Sequence, residues 1–477
     1  MAGLTVERTA IPGLLVVRLP VHGDSRGWFK EGWQREKMTA LGLPDFGPVQ
    51  HNISFNASRG ATRGIHAEPW DKYVSVATGR VFGAWVDLRA GESLGTTVTV
   101  EIDESVAVFV PRGVGNSYQA LEDGTAYTYL VNAHYVHGRT YPALALDDES
   151  AAIDWPIPLA EAEISGKDQA NPRLEEVTPF APKPVLVLGA SGQVGRALLA
   201  RLPDAIGVDR PQLDLSDERS MGAYNWSQHD VVINAAAMTA VDEAETADGR
   251  RLAWAVNATG AAALARLALA HRFTLVHYSS DYVFDGSEHE HVEDEPLAPL
   301  GVYGQSKAAG DLAVSVVPHH YLLRTSWVVG DGRNFVTTMA RLADDGVSPR
   351  VVDDQRGRLT FADDLARATA HLLDVGAPFG TYHCSSAGEP MTWAEIARIV
   401  FESRGRSAED VIGQSTSEYS AGGLVSPRPA SSVLSLGRLE STGFEPADQR
   451  ERLADVLHAA GRGHAGDASG ADGMMDP

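Results

Sequence analysis

Residues 185–195, VLVLGASGQVG, decide the fold of the longer part of this chain. The first four residues are apolar and predict a short buried strand, and the glycines after them permit a tight turn into a helix. In such a turn the backbone approaches a ligand closely, and a pyrophosphate can rest on the amino end of the helix. The turn therefore predicts a dinucleotide site, whose candidate cofactor-binding residues are Gly189, Gly192, Gln193, Val194 and Gly195.

Beyond this turn the sequence alternates between strands and helices. Strands are predicted at residues 205–208, 231–233 and 274–278, and an alanine-rich helix is predicted at residues 261–270. Alternation of this kind is typical of an α/β Rossmann fold with a doubly wound parallel sheet. We expect this fold over residues 185–460.

Acidic and small residues after the second and third strands complete the predicted cofactor site. Asp209 is placed to bind the ribose hydroxyls of NADH, whereas Arg210 beside it could meet the 2′-phosphate of NADPH, so both cofactors remain open. Small residues after the third strand leave room for the cofactor to lie flat. The further candidate cofactor-binding residues are Asp214, Leu215, Ala235, Ala236 and Ala237.

A tyrosine and a lysine in YGQSK, residues 303–307, share one face of a predicted helix. The Lys307 ammonium is expected to lower the pKa of Tyr303 toward the working pH, which makes the tyrosine a proton donor to a carbonyl oxygen. Both are also candidate cofactor-binding residues. Ser280 ends the preceding strand, where doubly wound folds place their chemistry, and is predicted to donate a second hydrogen bond to a ketone. These residues predict a reductase that takes hydride from a nicotinamide.

The first part of the chain has the pattern of an all-β fold. Runs rich in β-branched and aromatic residues, at 74–78, 81–88, 96–102 and 107–110, are separated by turns and predict a cupin-like jelly roll. A proline-rich stretch after it predicts a stiff linker, and the last residues have almost nothing to bury. The predicted organisation is a jelly roll over residues 1–175, a linker over 176–184, the Rossmann domain over 185–460 and a disordered tail over 461–477.

Bulk composition excludes several classes of partner. The formal net charge of −23 leaves no basic stripe that could bind nucleic acid. Cys384 is the single cysteine, so no disulfide within the chain is possible and a reducing compartment is expected. The first residues carry charges where a signal peptide needs an apolar core, and no apolar run has the length of a membrane span. We therefore expect a cytoplasmic protein without nucleic-acid or membrane partners.

Residues 185–460 resemble the dTDP-4-dehydrorhamnose reductases, an extended short-chain dehydrogenase family, in VVINAAAMTAVD (231–242), HYSSDYVF (277–284) and RTSW (324–327). The resemblance implies that Tyr303 donates the proton and that Lys307 supports it. Where the family commonly has threonine this chain has Ser280, which keeps the hydroxyl. The sugar contacts that the resemblance implies are Ser280, Asp281 and Trp327. A related regulatory subunit of methionine adenosyltransferase binds dinucleotide without turnover, and the intact tyrosine–lysine pair argues against that alternative.

About residues 4–172 resemble the dTDP-4-dehydrorhamnose 3,5-epimerases. The segments that carry the resemblance are GDSRGWF (23–29), QHN (50–52), RGIH (63–66), IDWP (153–156) and SGKD (165–168). The resemblance implies that His66, oriented by Asp168, removes a proton next to the C4 ketone. Lys72 would stabilise the enolate oxygen, and Tyr129 would return a proton to the opposite face. The residues implied to hold the nucleotide and its phosphates are Arg26, Glu31, Gln50, Asn52, Arg63 and Lys167.

Two residues depart from the epimerase pattern. Asn116 stands where the family usually has a histidine that helps to hold the ligand, and Thr140 stands where a glutamate is expected. Asn116 is kept as a candidate substrate-binding residue, and whether both C3 and C5 are epimerised stays open. A metal-binding jelly roll is the other interpretation of this half. Because an asparagine occupies the place of its second-strand histidine, no metal is predicted.

The two resemblances together predict a bifunctional enzyme that acts on a dTDP-linked 4-keto-6-deoxy sugar. The N-terminal half would epimerise the sugar at C3 and C5, and the C-terminal half would reduce C4 with NADPH or NADH to give dTDP-L-rhamnose. The alternatives are a reductase joined to a non-catalytic nucleotide-sugar-binding domain, and a related deoxysugar product. The resemblance also implies a homodimer formed through the N-terminal half.

Overall fold

The computed structural model describes residues 3–134, 141–421 and 425–467. Thr140 lies outside these residues. The chain divides into two compact units, residues 1–182 and 183–477. The division falls inside the stretch that we predicted to be a linker.

Short strands build the N-terminal unit, as the spacing of its turns predicts. The strands are β1 (Thr5–Arg8), β2 (Leu15–Arg18), β3 (Val21–Asp24), β4 (Gly27–Lys30), β5 (Gln50–Asn56), β6 (Ala61–His66), β7 (Lys72–Thr78), β8 (Val81–Asp87), β9 (Thr97–Ile102), β10 (Val106–Val110), β11 (Val114–Ala120), β12 (Thr125–Val131) and β13 (Glu163–Ile164). Two short helices accompany them, α1 (Arg35–Ala40) and α2 (Gly166–Gln169).

Two sheets face each other in this unit. Their strand orders are β1-β2-β10-β7-β12-β5 and β13-β6-β11-β8-β9, and all neighbours are antiparallel except β13 and β6. Alternate apolar side chains from both sheets, such as Val74 and Val76 on β7 and Trp85 on β8, meet in the core between them. Among the described residues, β3 and β4 pair only with each other and form a separate hairpin.

The C-terminal unit alternates strands with helices. Its strands are β14 (Leu186–Leu188), β15 (Ile206–Val208), β16 (Val231–Asn234), β17 (Thr274–Ser280), β18 (His320–Thr325), β19 (Val328–Val329), β20 (Arg350–Val352), β21 (Arg356–Gly357), β22 (Thr360–Phe361), β23 (Gly380–His383), β24 (Met391–Thr392), β25 (Ile412–Gln414) and β26 (Ser431–Ser432). Its helices are α3 (Gln193–Arg201), α4 (Glu218–Ala223), α5 (Ala247–Ala253), α6 (Ala261–His271), α7 (Val302–Val314), α8 (Phe335–Asp344), α9 (Ala362–Asp374), α10 (Trp393–Ser403), α11 (Thr416–Ser420), α12 (Gly437–Glu440) and α13 (Gln449–Asp467).

Six parallel strands form the main sheet of this unit, in the order β15-β14-β16-β17-β18-β23. Separate apolar clusters contain strand residues such as Leu186 and Val187, whose side chains point to opposite faces of β14. Since β14 lies between β15 and β16, the strand order reverses there. A crevice at the carboxyl ends of these strands is where doubly wound folds bind their ligands.

A π-helical turn, Trp254–Gly260, joins α5 to α6 and makes one continuous helix, Ala247–His271. By length and composition alone this helix could cross a membrane, which differs from our expectation that no stretch would have that length. Half of its apolar window is buried inside the fold, as is usual for a core helix of a globular domain.

Two details of the domain boundaries were not predicted. Phe180, inside the predicted linker, forms backbone hydrogen bonds with Leu88 and Ala90, so this part of the linker is docked on the N-terminal unit. Helix α13 continues to Asp467, into the stretch predicted to be disordered, and the residues after it lie outside the described part. The predicted strands of both halves are confirmed with shifts of one or two residues at their ends.

Candidate active sites

The glycine-rich turn after β14 is shaped to receive a phosphate group. Gly189 has a φ of +75°, and a Cβ there would lie 2.8 Å from the Ala236 backbone. A Cβ at Gly195 would lie 2.8 Å from the Cα of Ala190. Gly192 caps α3 without a side-chain hydrogen bond, so no side chain competes for the first N–H groups of the helix. The turn therefore fits the pyrophosphate of a dinucleotide.

The other predicted cofactor residues differ in how closely their side chains approach this turn. The Asp209 carboxylate accepts hydrogen bonds from the Ser191 backbone N–H at 3.0 Å and hydroxyl at 2.9 Å, which places it beside the turn. Arg210 instead pairs with Asp214 at 2.9 Å. Gln193 accepts a hydrogen bond from the Gly330 N–H, Leu215 is buried in the core, and the alanines 235–237 follow β16. Only Asp209 is thus held against the turn by its side chain.

The predicted reducing site lies where β17 ends and α7 begins. Ser280 and Tyr303 are both buried and share a hydrogen bond. Lys307 is also buried, and its Nζ donates to the Tyr278 carbonyl oxygen at 2.5 Å. Tyr282 packs edge-on against the Tyr303 ring, with 5.8 Å between ring centroids. The fold brings the three predicted catalytic residues of this unit together.

The expected effect of Lys307 on Tyr303 is wrong for this structure. Burial raises the pKa of Tyr303, and the hydrogen bond with Ser280 only partly opposes this. Burial also lowers the pKa of Lys307 to about 8. A buried phenol resists ionisation because an apolar surrounding disfavours the charged form. Tyr303 therefore carries its proton at neutral pH, as a proton donor must.

The two remaining sugar contacts predicted here have different surroundings. Asp281 is buried, accepts a hydrogen bond from Ser280 Oγ at 3.0 Å, and has a pKa raised to about 6 by burial. Trp327 is half-buried with a left-handed φ of +45°. Its ring stacks on Trp393 at 3.8 Å, and a Cβ at Gly357 would lie 2.8 Å from it. Both side chains are thus held firmly, one by hydrogen bonding and one by close packing.

In the N-terminal unit, a histidine–carboxylate pair joins β6 to α2. His66 Nε2 lies 2.9 Å from Asp168 Oδ1, although 102 residues separate them in the chain. Ser165 caps α2 and accepts a hydrogen bond from the Asp168 N–H. Burial raises the pKa of Asp168, but the hydrogen bond and charge of His66, together with hydrogen bonds from Gly64 and Ser165, outweigh it and hold the pKa below its usual value. The carboxylate is therefore ionised at neutral pH and fixes the imidazole orientation.

A buried ion pair stands at the start of β7. Lys72 Nζ pairs with Glu68, four residues earlier in the chain. Tyr129 on β12 is half-buried, and burial followed by the Glu68 charge raises its pKa. Tyr129 lies opposite Val74 on β7, and Val131, two residues further along β12, lies opposite Lys72. The Lys72 and Tyr129 side chains therefore leave the same face of the sheet.

Asn116 lies on β11 directly opposite His66 on β6. Its Oδ1 accepts hydrogen bonds from Trp85 Nε1 at 2.9 Å and from the Tyr127 hydroxyl at 3.1 Å. The register confirms that Asn116 neighbours the predicted base. Its side-chain oxygen, however, serves two buried aromatic residues of the core.

Asn116→Ala is expected to lower the free energy of unfolding by about 1–3 kcal/mol for each of the two donors it leaves unpaired. Trp85 and Tyr127 are almost completely buried, so water cannot replace the lost acceptor. Urea unfolding measures the change. Asn225→Ala, which removes an exposed asparagine bonded to Ser227, is the matched control and should change stability by less than about 0.5 kcal/mol. Equal stabilities of the two variants would contradict the assignment.

The predicted nucleotide-binding residues are less closely grouped. Gln50 and Asn52 bond to each other at 2.8 Å on β5, and Asn52 faces Tyr129 across the strand pair. Arg63 on β6 donates to Asn56 at 3.2 Å. The other three are exposed: Arg26 pairs with Asp24 at 2.5 Å, Glu31 pairs with Lys37 at 2.6 Å, and Lys167 lies on α2. The described contacts do not connect Arg26 or Glu31 to His66.

Three residues near these sites were missed by reasoning from sequence. Glu68 precedes Lys72 by four residues, and Asp311 follows Lys307 by four, so spacing could have suggested both. Asn257 comes from the π-helical turn, and its Nδ2 donates to the helix of the reducing site at 3.1 Å. No local pattern in the sequence marks that residue.

Two protein-family models match the chain. The model described as dTDP-4-dehydrorhamnose 3,5-epimerase matches residues 8–176, and the model described as RmlD substrate binding domain matches residues 183–461. The chain belongs to both families. We call residues 8–176 the epimerase domain and residues 183–461 the reductase domain.

Individual relatives cover one domain each. The epimerase domain is similar to the protein RmlC homolog of Streptococcus pyogenes, with 47% identity over 37% of this chain and 92% of that protein. The reductase domain is similar to the dTDP-4-dehydrorhamnose reductase of Mycolicibacterium smegmatis, with 35% identity over 62% of this chain and 90% of that protein. A dTDP-4-dehydrorhamnose reductase from Bacillus anthracis, solved in complex with NADP, is 32% identical, with a TM-score of 0.53 over 57% of this chain and 98% of that one.

Proposed function

We propose that this bifunctional enzyme of dTDP-L-rhamnose biosynthesis performs two consecutive steps at the two sites described above. The epimerase domain inverts C3 and C5 of dTDP-4-dehydro-6-deoxy-D-glucose. The reductase domain then reduces the C4 ketone with NADPH or NADH. The observation that carries this function is that one chain holds both the His66–Asp168 pair and the Ser280, Tyr303 and Lys307 cluster.

Epimerisation begins with removal of a proton next to the C4 ketone. Because His66 uses Nε2 to donate to Asp168, its Nδ1 is the nitrogen left to accept the proton. The electrons of the broken C–H bond move to the ketone oxygen, and the Lys72 ammonium stabilises the enolate that forms. Tyr129 then gives its hydroxyl proton to the opposite face of the carbon, and the ketone re-forms with the configuration inverted.

Reduction uses the turn after β14 and the end of β17. The backbone N–H groups of α3 would hold the pyrophosphate, and Asp209 and Lys307 would hold the two riboses. When bound, the reduced nicotinamide supplies the hydride that reaches C4. Tyr303 donates its hydroxyl proton to the C4 oxygen. The Ser280 hydroxyl, which donates to Asp281 in this structure, would turn to donate a second hydrogen bond to that oxygen. Asp281 and Trp327 would position the sugar.

Three structural features accompany this proposal. We assign a cupin-like jelly roll to residues 1–175 and a Rossmann fold to residues 185–460, with a docked linker between them.

The enzyme is cytoplasmic and acts as a homodimer through the epimerase domain. The edge strand β5 supports dimerisation, because Ile53 and Phe55 on it are each 64% exposed. Sedimentation at the monomer mass would contradict this.

The direct test is to incubate the purified chain with dTDP-4-dehydro-6-deoxy-D-glucose and NADPH, with no other enzyme. NADPH should be oxidised and dTDP-L-rhamnose should form, because both steps are on one chain. If the epimerase domain only bound the nucleotide sugar, oxidation would begin only after a separate epimerase was added. Solvent deuterium at C3 and C5, measured without cofactor, reports the first step alone.

A further inference from the structure

Three buried polar side chains lie on one face of helix α7. Tyr303, Lys307 and Asp311 follow each other at four-residue intervals, which places them on successive turns of the same face. They are 9%, 2% and 1% exposed, respectively. An aspartate this deeply buried needs a reason, because an unpaired buried carboxylate is strongly disfavoured.

Lys307 forms no direct ion pair among the described residues. Its Nζ donates to the neutral Tyr278 carbonyl. Burial lowers the pKa of Lys307, and the Asp311 charge opposes that effect. Asp311 is therefore the negative group that favours the charged form of this lysine.

Arg324 on β18 fixes the position of the Asp311 carboxylate. Its Nε donates to Asp311 Oδ2 at 2.9 Å, and its Nη1 donates to the Glu293 carbonyl oxygen at 2.9 Å. The guanidinium also lies over the Phe284 ring, 5.2 Å from its centroid. Because Arg324 is held from three sides, it fixes the position of the carboxylate oxygen that it binds.

We propose that Asp311 is a positioning residue of the reductase site, whose carboxylate, anchored by Arg324, keeps the Lys307 ammonium charged one helical turn from Tyr303. The inference rests on the proposed role of Lys307 in the reduction. The titratable groups facing Lys307 are Tyr303 and Asp311 on its own helix and His277 on β17. Burial raises the pKa of Tyr303, so the phenol is neutral. Burial and then the Lys307 charge lower the pKa of His277, so this histidine is neutral and supplies no competing charge.

The test is the pH dependence of kcat for reduction by the full chain. A separately purified dTDP-4-dehydrorhamnose 3,5-epimerase is added until the rate no longer rises, so that reduction is measured alone. Loss of the Lys307 proton should cause the fall in kcat at alkaline pH. Asp311→Asn should move this fall to lower pH by about one unit, because a nearby opposite charge typically shifts a pKa by that much or more. Asp311→Glu should restore the wild-type profile.

Arg324→Gln should move the alkaline fall in the same direction as Asp311→Asn, because burial raises the pKa of Asp311 and the Arg324 charge is the largest opposing cause, so its loss favours the neutral acid. If the Asp311–Arg324 ion pair only stabilised the fold, kcat would be lower in both variants, and the pH at which kcat falls would be unchanged in both. Asp364→Asn on α9 is the matched control, since it removes a carboxylate paired with Arg367 and Arg452 away from this site. It should leave the profile unchanged.

A second measurement needs no turnover. The pKa of Lys307 is about 8 in the folded chain and 10.5 in an unfolded one. Between these two pH values the unfolded state therefore binds more protons than the folded state, and the free energy of unfolding rises with pH. In Asp311→Asn the rise in the thermal midpoint should begin below pH 8. A constant loss at every pH, together with an unshifted rate profile, would overturn the inference.

Lys307→Met separates this inference from the proposed function. If that variant still reduces the sugar, the role of Lys307 itself is wrong. If it is inactive while both the Asp311 and Arg324 variants keep the wild-type profile, only the role of Asp311 is wrong. Should Asp311→Asn fail to fold, the direction of the Arg324→Gln shift decides the question.

Discussion

Tyr303→Phe is expected to slow NADPH oxidation by about 10²–10⁴-fold, the usual contribution of a positioned proton donor. The variant removes only the hydroxyl, which shares a hydrogen bond with Ser280 at the end of β17. The ring remains, so packing against Tyr282 is kept and the fold should be unaffected. The rate is measured with an excess of separate epimerase, so that the supply of the sugar does not limit it.

Two observations show whether the loss is chemical. Deuterium exchange at C3 and C5 of the sugar should be unchanged in Tyr303→Phe, because it is a property of the other domain. Tyr321→Phe is the matched control, since its buried hydroxyl donates to the backbone oxygens of Leu372 and Ala377 and, among the described residues, to no other group. That variant should keep its rate of reduction. If Tyr303→Phe retains the wild-type rate, another group donates the proton.

His66→Asn is expected to slow solvent deuterium exchange at C3 and C5 by a similar factor of about 10²–10⁴. Asparagine has no basic nitrogen to accept the proton, and its shorter side chain also loses the bond that His66 makes to Asp168 through Nε2. NADPH oxidation without other enzymes should fall with the exchange rate. It should recover fully when a separate epimerase is added, because Tyr303 and Lys307 are untouched.

Recovery with a separate epimerase shows that the His66 variant has lost epimerisation and not reduction. His22→Asn, an exposed histidine on the β3–β4 hairpin, is the matched control and should exchange deuterium at the wild-type rate. If His66→Asn exchanges both protons normally, this base assignment is wrong. If it loses exchange at one carbon only, different groups serve C3 and C5, and the departure at Asn116 gains importance.

Much of the fold could be predicted because its signals are local. The glycine turn after β14, the alternation of strands and helices and the short strands of the first half each depend on residues within a few positions of each other. Contacts between distant parts of the chain leave no such signal. Phe180 is docked by hydrogen bonds to Leu88 and Ala90, which lie about ninety residues earlier in the chain, and no local pattern reports such a contact.

The pKa of Tyr303 shows the corresponding limit for the active site. Spacing alone placed Lys307 one turn from Tyr303, and this led to the expectation of a lowered pKa for the tyrosine. The structure buries both side chains, and burial is the largest cause of the shift in each pKa, upward for Tyr303 and downward for Lys307. Burial is a property of the packed domain, so its effect on a pKa cannot be obtained from spacing.

The sequence by itself determined the two fold classes, the dinucleotide turn and the residue types available for each reaction, since these follow from periodicity, turn chemistry and side-chain chemistry. The tertiary structure decided which of those residues act together. His66 meets Asp168 across 102 residues, and Arg324 meets Asp311 by the packing of a strand against a helix. Such pairs form because folding brings distant elements into contact, and the direction of each side chain then depends on the packing around it.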